Sequence, residues 1–312
     1  MLEQIAFGFQ LVVPLFLVML VGGLFRQRKI VSDTGFRDLN YMVFHLFLPS
    51  NVFYSIATAD RSHLFEPVFG ILILAGLLIP FFLGLYLVPK LISTPAKRGV
   101  VVQSLVRGNF VIVGLSLLQR LYGDSGLELV GIILLISMPI YNITSIYALE
   151  GIGAKRASSW TLVKTIVQNP IIVATFLGML TFFIPVPVIL MSAIRMFAAA
   201  SSTIAIFALG GLLELKTMGS NRKILNAITL IRLVLYPIIA IALAYLLQLP
   251  EKATMTLMIF FGSPVAIITY AMVQKSGGDE DLAGQIILYT TAFSLFSYAF
   301  WIGIVRYLFQ II

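Results

Sequence analysis

The feature that most constrains this chain is a series of ten apolar stretches, each about 20 residues long, separated by short loops. Their approximate limits are residues 5–25, 38–57, 67–89, 99–122, 126–149, 162–184, 188–213, 223–247, 251–273 and 281–309. An α-helix needs about this length of apolar sequence to cross a lipid bilayer. We therefore predict an all-α polytopic membrane protein with ten transmembrane helices, which are called spans 1 to 10 below.

The composition excludes several other classes of protein. Hydrophobic residues make up 60% of the 312 residues, charged residues only 11%, and the mean hydropathy is +1.03, values that a soluble globular domain of this size does not reach. The absence of cysteine excludes thiolate metal sites, disulfides and thiol nucleophiles, and 2 histidines offer little for a metal centre. An intramembrane enzyme would need a metal or acid cluster, and the sequence has neither paired aspartates at span ends nor a histidine-rich motif. We expect no enzymatic activity, no cofactor and no metal.

Lysine and arginine are distributed unevenly over the two sides that the spans define. The loops after spans 1, 3, 5, 7 and 9 contain 14 of them: Arg26, Arg28, Lys29, Arg37, Lys90, Lys97, Arg98, Lys155, Arg156, Lys164, Lys216, Arg222, Lys223 and Lys275. The opposite side contains 4: Arg61, Arg120, Lys252 and Arg306. The positive-inside rule makes the first side cytoplasmic, so both termini are expected outside. The net charge of +8 is thus an orientation signal and does not indicate nucleic acid.

Short motifs recur in the two halves of the chain at a nearly constant offset. They are Gly123-Asp124-x-x-Leu127 with Gly278-Asp279-x-x-Leu282 (offset 155), Pro14 with Pro170 (156) and Pro80 with Pro237 (157). Such an offset relates one group of five spans to the next, and because five is odd, the second copy enters the membrane upside down. The pattern predicts a 5+5 inverted repeat, with residues 1–155 and 156–312 as the two copies, an architecture of many secondary transporters.

Span 9 contains a helix-breaking triplet, Gly262-Ser263-Pro264, in the middle of its apolar sequence. Proline lacks an N–H and clashes with the preceding turn, so carbonyl groups lose their partners at a depth without bulk water. The offset of 155 places Gly108 and Asn109 of span 4 at the positions of Ser263 and Pro264. Paired interruptions of this kind indicate the binding site of a transporter, and a kinked but packed helix is the alternative.

Three polar residues are expected close to the middle of the bilayer. Asn109 and Ser263 lie roughly 15 Å from the cytoplasmic edge, at 1.5 Å of rise per residue, and Asn142 of span 5 comes to a similar level. If two broken helices cross there, the N-termini of their second halves offer free N–H groups and a positive dipole end, which suits a carboxylate. The alternative is that each asparagine only joins neighbouring helices.

The charges inside the spans favour an anionic substrate. None of the 13 acidic residues is expected near the centre of a span, where sodium or proton carriers usually keep a carboxylate. Three arginines do lie within spans: Arg107, Arg195 and Arg232. Arg107, next to Gly108 and Asn109, is a candidate for the electrostatics of the site, with snorkelling as its alternative. We expect Arg195 and Arg232 to snorkel to the membrane surface, because each is about two turns from a span end.

Several short motifs, none specific alone, occur in a characteristic order and spacing. The strongest are Gly262-Ser263-Pro264-Val265-Ala266, Tyr270-Ala271, Gly277-Gly278-Asp279-Glu280-Asp281-Leu282-Ala283 and Thr290-Thr291-Ala292-Phe293-Ser294-Leu295. Supporting pieces are Phe47-Leu48-Pro49, Gly108-Asn109, Gly114-Leu115, Pro139-Ile140-Tyr141-Asn142, Asn169-Pro170 and Ala208-Leu209-Gly210. In these motifs the chain resembles the auxin efflux carrier family, specifically its short prokaryotic members, over essentially its whole length.

The resemblance implies a ten-helix inverted repeat with a scaffold and a transport domain, crossing broken helices 4 and 9, and an elevator-like motion. It also implies carboxylate substrates: auxin in plant relatives, and dicarboxylates such as malate or malonate in bacterial ones. We accordingly expect a carrier of organic anions in a bacterial inner membrane, and a homodimer. A sodium- or proton-coupled carrier related in fold to the bile-acid sodium symporters is the alternative.

Seven residues are expected to bind substrate. They are Arg107, Asn109, Ser116, Asn142, Ser263, Pro264 and Tyr270, with Gly108, Gly262 and Pro264 as the helix breaks. The chain departs from the family at Ser116 and Thr203, where the resemblance implies prolines. At Ser116 the departure bears on the exact break of span 4, because a hydroxyl there can bind ligand or bond to the preceding turn.

Overall fold

A computed structural model of the chain describes residues 2–58, 67–123, 128–151, 168, 170–212 and 221–311, and the regular structure in these ranges is helical. The helices are α1 (Leu2–Gln27), α2 (Asp33–Met42), α3 (Leu48–Ala57), α4 (Pro67–Leu91), α5 (Pro95–Val106), α6 (Leu115–Tyr122), α7 (Glu128–Ile146), α8 (Pro170–Leu180), α9 (Val188–Leu212), α10 (Arg222–Leu230), α11 (Tyr236–Leu246), α12 (Glu251–Phe261), α13 (Ile268–Ser276) and α14 (Glu280–Ile311). Four π-helical turns join or extend them: Val43–Phe47, Phe110–Gly114, Tyr147–Gly151 and Ile231–Leu235.

Six helical segments of the described residues are long and apolar enough to cross a membrane. They are Leu2–Gln27, Pro67–Leu91, Ile132–Gly151, Val188–Leu212, Arg222–Leu246 and Glu280–Phe309, at the positions of predicted spans 1, 3, 5, 7, 8 and 10. Predicted spans 2, 4 and 9 correspond to helices that are interrupted or less apolar: α2 with α3, α5 with α6, and α12 with α13. Of predicted span 6 the structure describes α8, and residues 162–167 and 169 lie outside the described ranges. The chain is therefore a multi-pass α-helical membrane protein.

Part of the charge and repeat patterns cannot be located in this structure. The residues concerned lie outside the described ranges: Arg61, Asp124, Leu127, Lys155, Arg156, Lys164, Asn169 and Lys216.

Glycines bring α1 close to two neighbours, α9 and α14. A Cβ atom at Gly210 of α9 would overlap the carbonyl oxygen of Met19 in α1, and one at Gly8 of α1 would overlap the carbonyl of Ala299 in α14. Membrane helices often approach this closely where small residues line the contact, because dispersion between backbones replaces the hydrophobic effect.

Helix α3 joins the same group through a buried asparagine. Asn51 Nδ2 donates to Ser201 Oγ (2.6 Å) and to the carbonyl of Ala198 (3.1 Å) in α9. On its other side α3 packs against α8, where Gly178 lies against Ile56. Helices α1, α2, α3, α8 and α9 thus form one packed group.

The remaining helices, α4 to α7 and α10 to α14, form a second group in which helix defects become contacts between helices. Pro237 cannot bond to the carbonyl of Leu233, four residues earlier, and a π turn widens the helix there. That carbonyl instead accepts hydrogen bonds from Ser297 Oγ (2.6 Å) and Trp301 Nε1 (2.9 Å) of α14. The defect therefore attaches α11 to α14.

We expect Gly210→Ala to destabilise the protein, because the new Cβ forces α1 and α9 apart. Overpacking of this kind costs about 1–3 kcal/mol, and the melting temperature of the purified protein in detergent should fall. The matched control is Gly284→Ala in α14, where the nearest atoms, on the Tyr270 ring, lie 3.8 Å from the new Cβ. Equal melting temperatures for the two variants would show that α1 and α9 do not pack this closely.

Candidate functional site

Two helices end inside the second group and restart after a few residues. Helix α5 ends at Val106, and Arg107 continues in an extended conformation (φ −82°, ψ 101°) before the π turn that begins at Phe110. Helix α12 ends at Phe261, and α13 begins at Ile268. The first interruption covers residues 107–109 and the second residues 262–267.

The two interruptions lie against each other and pair through their backbones. The contacts are hydrogen bonds from Asn109 N–H to the Pro264 carbonyl (2.7 Å) and from Ala266 N–H to the Arg107 carbonyl (3.2 Å), and an antiparallel bridge between Gly108 and Val265. Asn109 and Pro264, which the offset of 155 relates, are therefore direct neighbours. Each interruption supplies donors and acceptors that the other has lost.

A buried arginine, Arg232, caps the ends of both interrupted helices. It is 1% exposed, its Nε donates to the Ser263 carbonyl (2.8 Å), and its Nη1 donates to the carbonyls of Ser104 and Leu105 (both 3.2 Å). These oxygens lie at the C-terminal ends of α5 and α12, where carbonyls lack helical partners and the helix dipole is negative. One guanidinium thus compensates two helix ends.

The prediction that Arg232 snorkels to the membrane surface is wrong. Its distance from a span end would permit snorkelling on a lipid-facing helix. Here the side chain faces the protein interior, where carbonyls of two other helices accept its N–H groups. Gly108 leaves the space, because a Cβ there would come within 2.5 Å of Arg232 Nη2 and 3.0 Å of Ser263 Cβ. Arg195, in α9, is exposed.

Arg107 is buried as well, at 5% exposure, and turns towards α7. Its Nη1 donates to Asn142 Oδ1 (3.2 Å) and to Ser145 Oγ (3.4 Å), and its Cζ lies 5.6 Å from the centre of the Tyr141 ring. Within the described residues, neither Arg107 nor Arg232 has a carboxylate within 4.0 Å. Two positive charges therefore lie in the protein interior with only neutral partners around them.

Two amide groups at the interruptions have unused hydrogen-bond donors. Nδ2 of Asn109 and Nδ2 of Asn142 are buried and find no partner in the part of the chain that the structure describes. The two residues are 5% and 3% exposed, so water has little access. A buried donor without an acceptor costs about 1–3 kcal/mol. The arrangement suits a ligand that brings acceptors and negative charge, as a carboxylate does.

An aromatic cluster supports the backbone next to both asparagines. The Phe260 ring of α12 lies 5.2 Å from that of Phe110, edge to face, and 6.3 Å from that of Tyr141, nearly parallel. Phe110 follows Asn109, and Tyr141 precedes Asn142, so Phe260 joins the two segments. Aromatic pairs of this geometry add about 0.5–1.5 kcal/mol to their burial.

The other predicted site residues have partners within the protein. Ser263 Oγ donates to the Ile259 carbonyl (2.8 Å) and accepts from Tyr298 Oη (3.2 Å). Ser116 Oγ donates to the Ile112 carbonyl (2.6 Å), so this hydroxyl bonds to the preceding turn of its helix. Tyr270 Oη donates to Glu280 Oε2 (3.3 Å). Gly262 lies close to α11, because a Cβ at Gly262 would come 2.9 Å from Pro237 Cγ.

Sequence reasoning missed three residues that hold the site together. Ser145 lies three residues after Asn142, on the same helix face, and that spacing could have identified it. Thr290, whose Oγ1 accepts from Val265 N–H (3.0 Å), belongs to a motif that carries the family resemblance. Tyr298 has no comparable signal. The described residues contain no group of three or more His, Asp or Glu that could hold a metal ion.

Comparison with known proteins gives two results. The sequence model of a family described as membrane transport protein matches residues 7–302 of this chain. The chain is also 27% identical over 211 residues to an uncharacterized transporter, YfdV, of Escherichia coli strain K12, and to YfdV of Escherichia coli O157:H7 and of Shigella flexneri. These alignments cover 63% of this chain and 66% of each relative, just under two thirds of the relatives' length.

We expect Arg232→Met to lower the melting temperature strongly. The variant leaves the buried carbonyls of Ser104 and Ser263 without a donor, whereas the carbonyl of Leu105 still accepts from Tyr236 Oη (3.1 Å). Each unsatisfied group costs about 1–3 kcal/mol before the structure relaxes. The control is Arg195→Met, which removes an exposed arginine of α9 and should melt like the wild type. If both variants melt at the wild-type temperature, the carbonyls of α5 and α12 have other partners and Arg232 is no cap.

Proposed function

This chain belongs to the membrane transport protein family, that of the auxin efflux carriers, and from this premise we propose that it is a secondary carrier of small organic anions, specifically carboxylates. One observation carries the proposal: the buried guanidinium groups of Arg107 and Arg232 have no carboxylate partner among the described residues, beside two asparagine amides with unused donors. A carboxylate bound between the interruptions supplies both the missing charge and the missing acceptors.

The proposal includes a 5+5 inverted repeat of ten spans, in which broken spans 4 and 9 cross at the site. In support, the interruptions occur at positions that the repeat offset relates, and their backbones run antiparallel where they pair. Each broken span brings the C-terminus of one half-helix and the N-terminus of the next to the same point. We further propose a homodimer in a bacterial inner membrane. Both termini are proposed to lie outside, because the distribution of basic residues follows the positive-inside rule in that orientation.

Alternating access would occur by an elevator-like motion of the second helix group against the first. In support, the hydrogen bonds that build the site join helices of the second group: Arg232 to α5 and to Ser263, Arg107 to α7, and Tyr298 of α14 to Ser263. The site can therefore travel intact. This motion would have to change the contact of α14 with α1, which includes the Phe9–Phe296 pair and the close approach of Gly8 to Ala299. No ion pair between described residues crosses that contact.

Uptake into proteoliposomes tests the function directly. We expect the purified protein to accumulate labelled malonate, malate or indole-3-acetate, and removal of sodium to leave the rate unchanged, because no acidic residue is expected at mid-membrane depth. Protein-free liposomes are the control. If sodium removal abolishes uptake and an imposed proton gradient does not restore it, the sodium-symporter alternative replaces this proposal. If none of the three acids is taken up, the result argues against a carboxylate carrier.

The role of Asn109 separates ligand binding from helix association. We expect Asn109→Ala to weaken malonate binding about tenfold or more, since a hydrogen bond to a charged ligand contributes about 1.5–3 kcal/mol. Its Nδ2 has no partner in the described protein, so the melting temperature should not fall. Asn51→Ala is the matched control: it removes hydrogen bonds to Ser201 and Ala198 and should lower the melting temperature but not the affinity. The reverse result for Asn109 would make it a structural residue.

A further inference from the structure

Arg107 determines which edge of the Asn142 amide faces it. A guanidinium has only N–H donors, whereas a side-chain amide has one accepting oxygen and one donating nitrogen. The Asn142 atom that lies 3.2 Å from Arg107 Nη1 is accordingly the oxygen, Oδ1. Nδ2, on the other branch of the same planar group, then points away from Arg107. It is this Nδ2 that is buried without a partner among the described residues.

Arg107 is itself held from several sides, so the orientation that it imposes is fixed. Ser145 Oγ lies 3.4 Å from Nη1, and the Tyr141 ring lies 5.6 Å from Cζ. Its own carbonyl accepts from the Ala266 N–H of the other interruption. Without such a neighbour, the amide of Asn142 could turn over, because its oxygen and nitrogen ends have nearly the same size and shape.

We infer that Arg107 is a positioning residue that makes the site selective for anions by orienting Asn142. The inference rests on the proposed function and refines it: Asn142 Nδ2 contacts the carboxylate, and Arg107 keeps Oδ1 turned away. With the amide reversed, Oδ1 would face a carboxylate oxygen, and two acceptors repel each other. The bound group must then be one that offers acceptors to the site, and a neutral carboxamide of the same shape is a poorer ligand.

A double-mutant cycle distinguishes this role from a direct or long-range effect of the Arg107 charge. Dissociation constants of malonate, malate and indole-3-acetate are measured for the wild type, Arg107→Met, Asn142→Ala and the double variant. We expect each single change to weaken binding about tenfold or more. The loss that Arg107→Met causes in the Asn142→Ala background should be at least about threefold smaller than the loss it causes in the wild type, because only the long-range effect of the charge remains there. Losses that multiply in the double variant would overturn the inference. Arg195→Met, remote from the site, controls for loss of one positive charge.

Selectivity between charged and neutral ligands is a second measurement, which a purely structural role of Arg107 would leave unchanged. The wild type should prefer malonate over malonamide, its neutral diamide, and Arg107→Met should lose most of that preference. Arg107→Lys should restore it, because an ammonium group also donates to Oδ1. An unchanged preference in Arg107→Met contradicts the inference even if the affinity falls.

The variant Asn142→Asp keeps the test decisive if Arg107→Met does not fold. A carboxylate at this position still accepts from Arg107 and forms an ion pair, so the protein should melt at or above the wild-type temperature. Its second oxygen replaces the Nδ2 donor, and binding of the three acids should fall about a hundredfold or more. Wild-type affinity in Asn142→Asp would overturn the inference. If the wild type itself binds none of the three acids, the proposed function fails instead.

Discussion

A carbonyl group exposed by a break in a membrane helix needs a donor from the protein, because the lipid interior has no water to supply one. The rest of the structure depends on how this requirement is met at the ends of α5 and α12. Backbone N–H groups of Asn109 and Ala266 satisfy part of it across the pair of interruptions, and Arg232 satisfies the remainder from a third helix. Neither break could be stable alone, since each uses groups that the other has freed.

The choice of donor distinguishes the two interruptions from the break at Pro237. Where Pro237 frees the carbonyl of Leu233, neutral groups of Ser297 and Trp301 satisfy it. At the interruptions the donor is a guanidinium, and Arg107 adds a second one nearby. The consequence is an interior that is electropositive as well as polar. Under the proposed function, the interactions that hold the breaks together would also determine the charge of the ligand.

The sequence predicted an all-helical membrane protein and the positions of its six long apolar helices, because apolar length acts locally. The paired breaks of a ten-span repeat stay a proposal, supported by the ends of α5 at Val106 and of α12 at Phe261. The sequence also brought Asn109 and Pro264 to the same point, through the spacing of motifs in the two halves. It placed Arg232 wrongly, because depth along a helix says nothing about which neighbour the side chain faces. The π turns and the Arg107–Asn142 contact depend on packing between helices, which no local pattern records. The assignment of all seven residues to substrate binding stays a prediction. The Tyr270 hydroxyl contacts the start of α14.

Among the described residues no carboxylate balances the charges of Arg107 and Arg232, and this has an electrical consequence. In the motion proposed above, Arg107 and Arg232 travel with the site, and each charge that crosses the full membrane potential exchanges about 2.3 kcal/mol per 100 mV with the field. An empty site with these two charges would be drawn towards the negative cytoplasmic side. A site loaded with a doubly charged anion would be nearly neutral and would move without regard to the field. Membrane voltage would then act on the return of the empty carrier, and the transport cycle could respond to the energy state of the cell without a coupled ion.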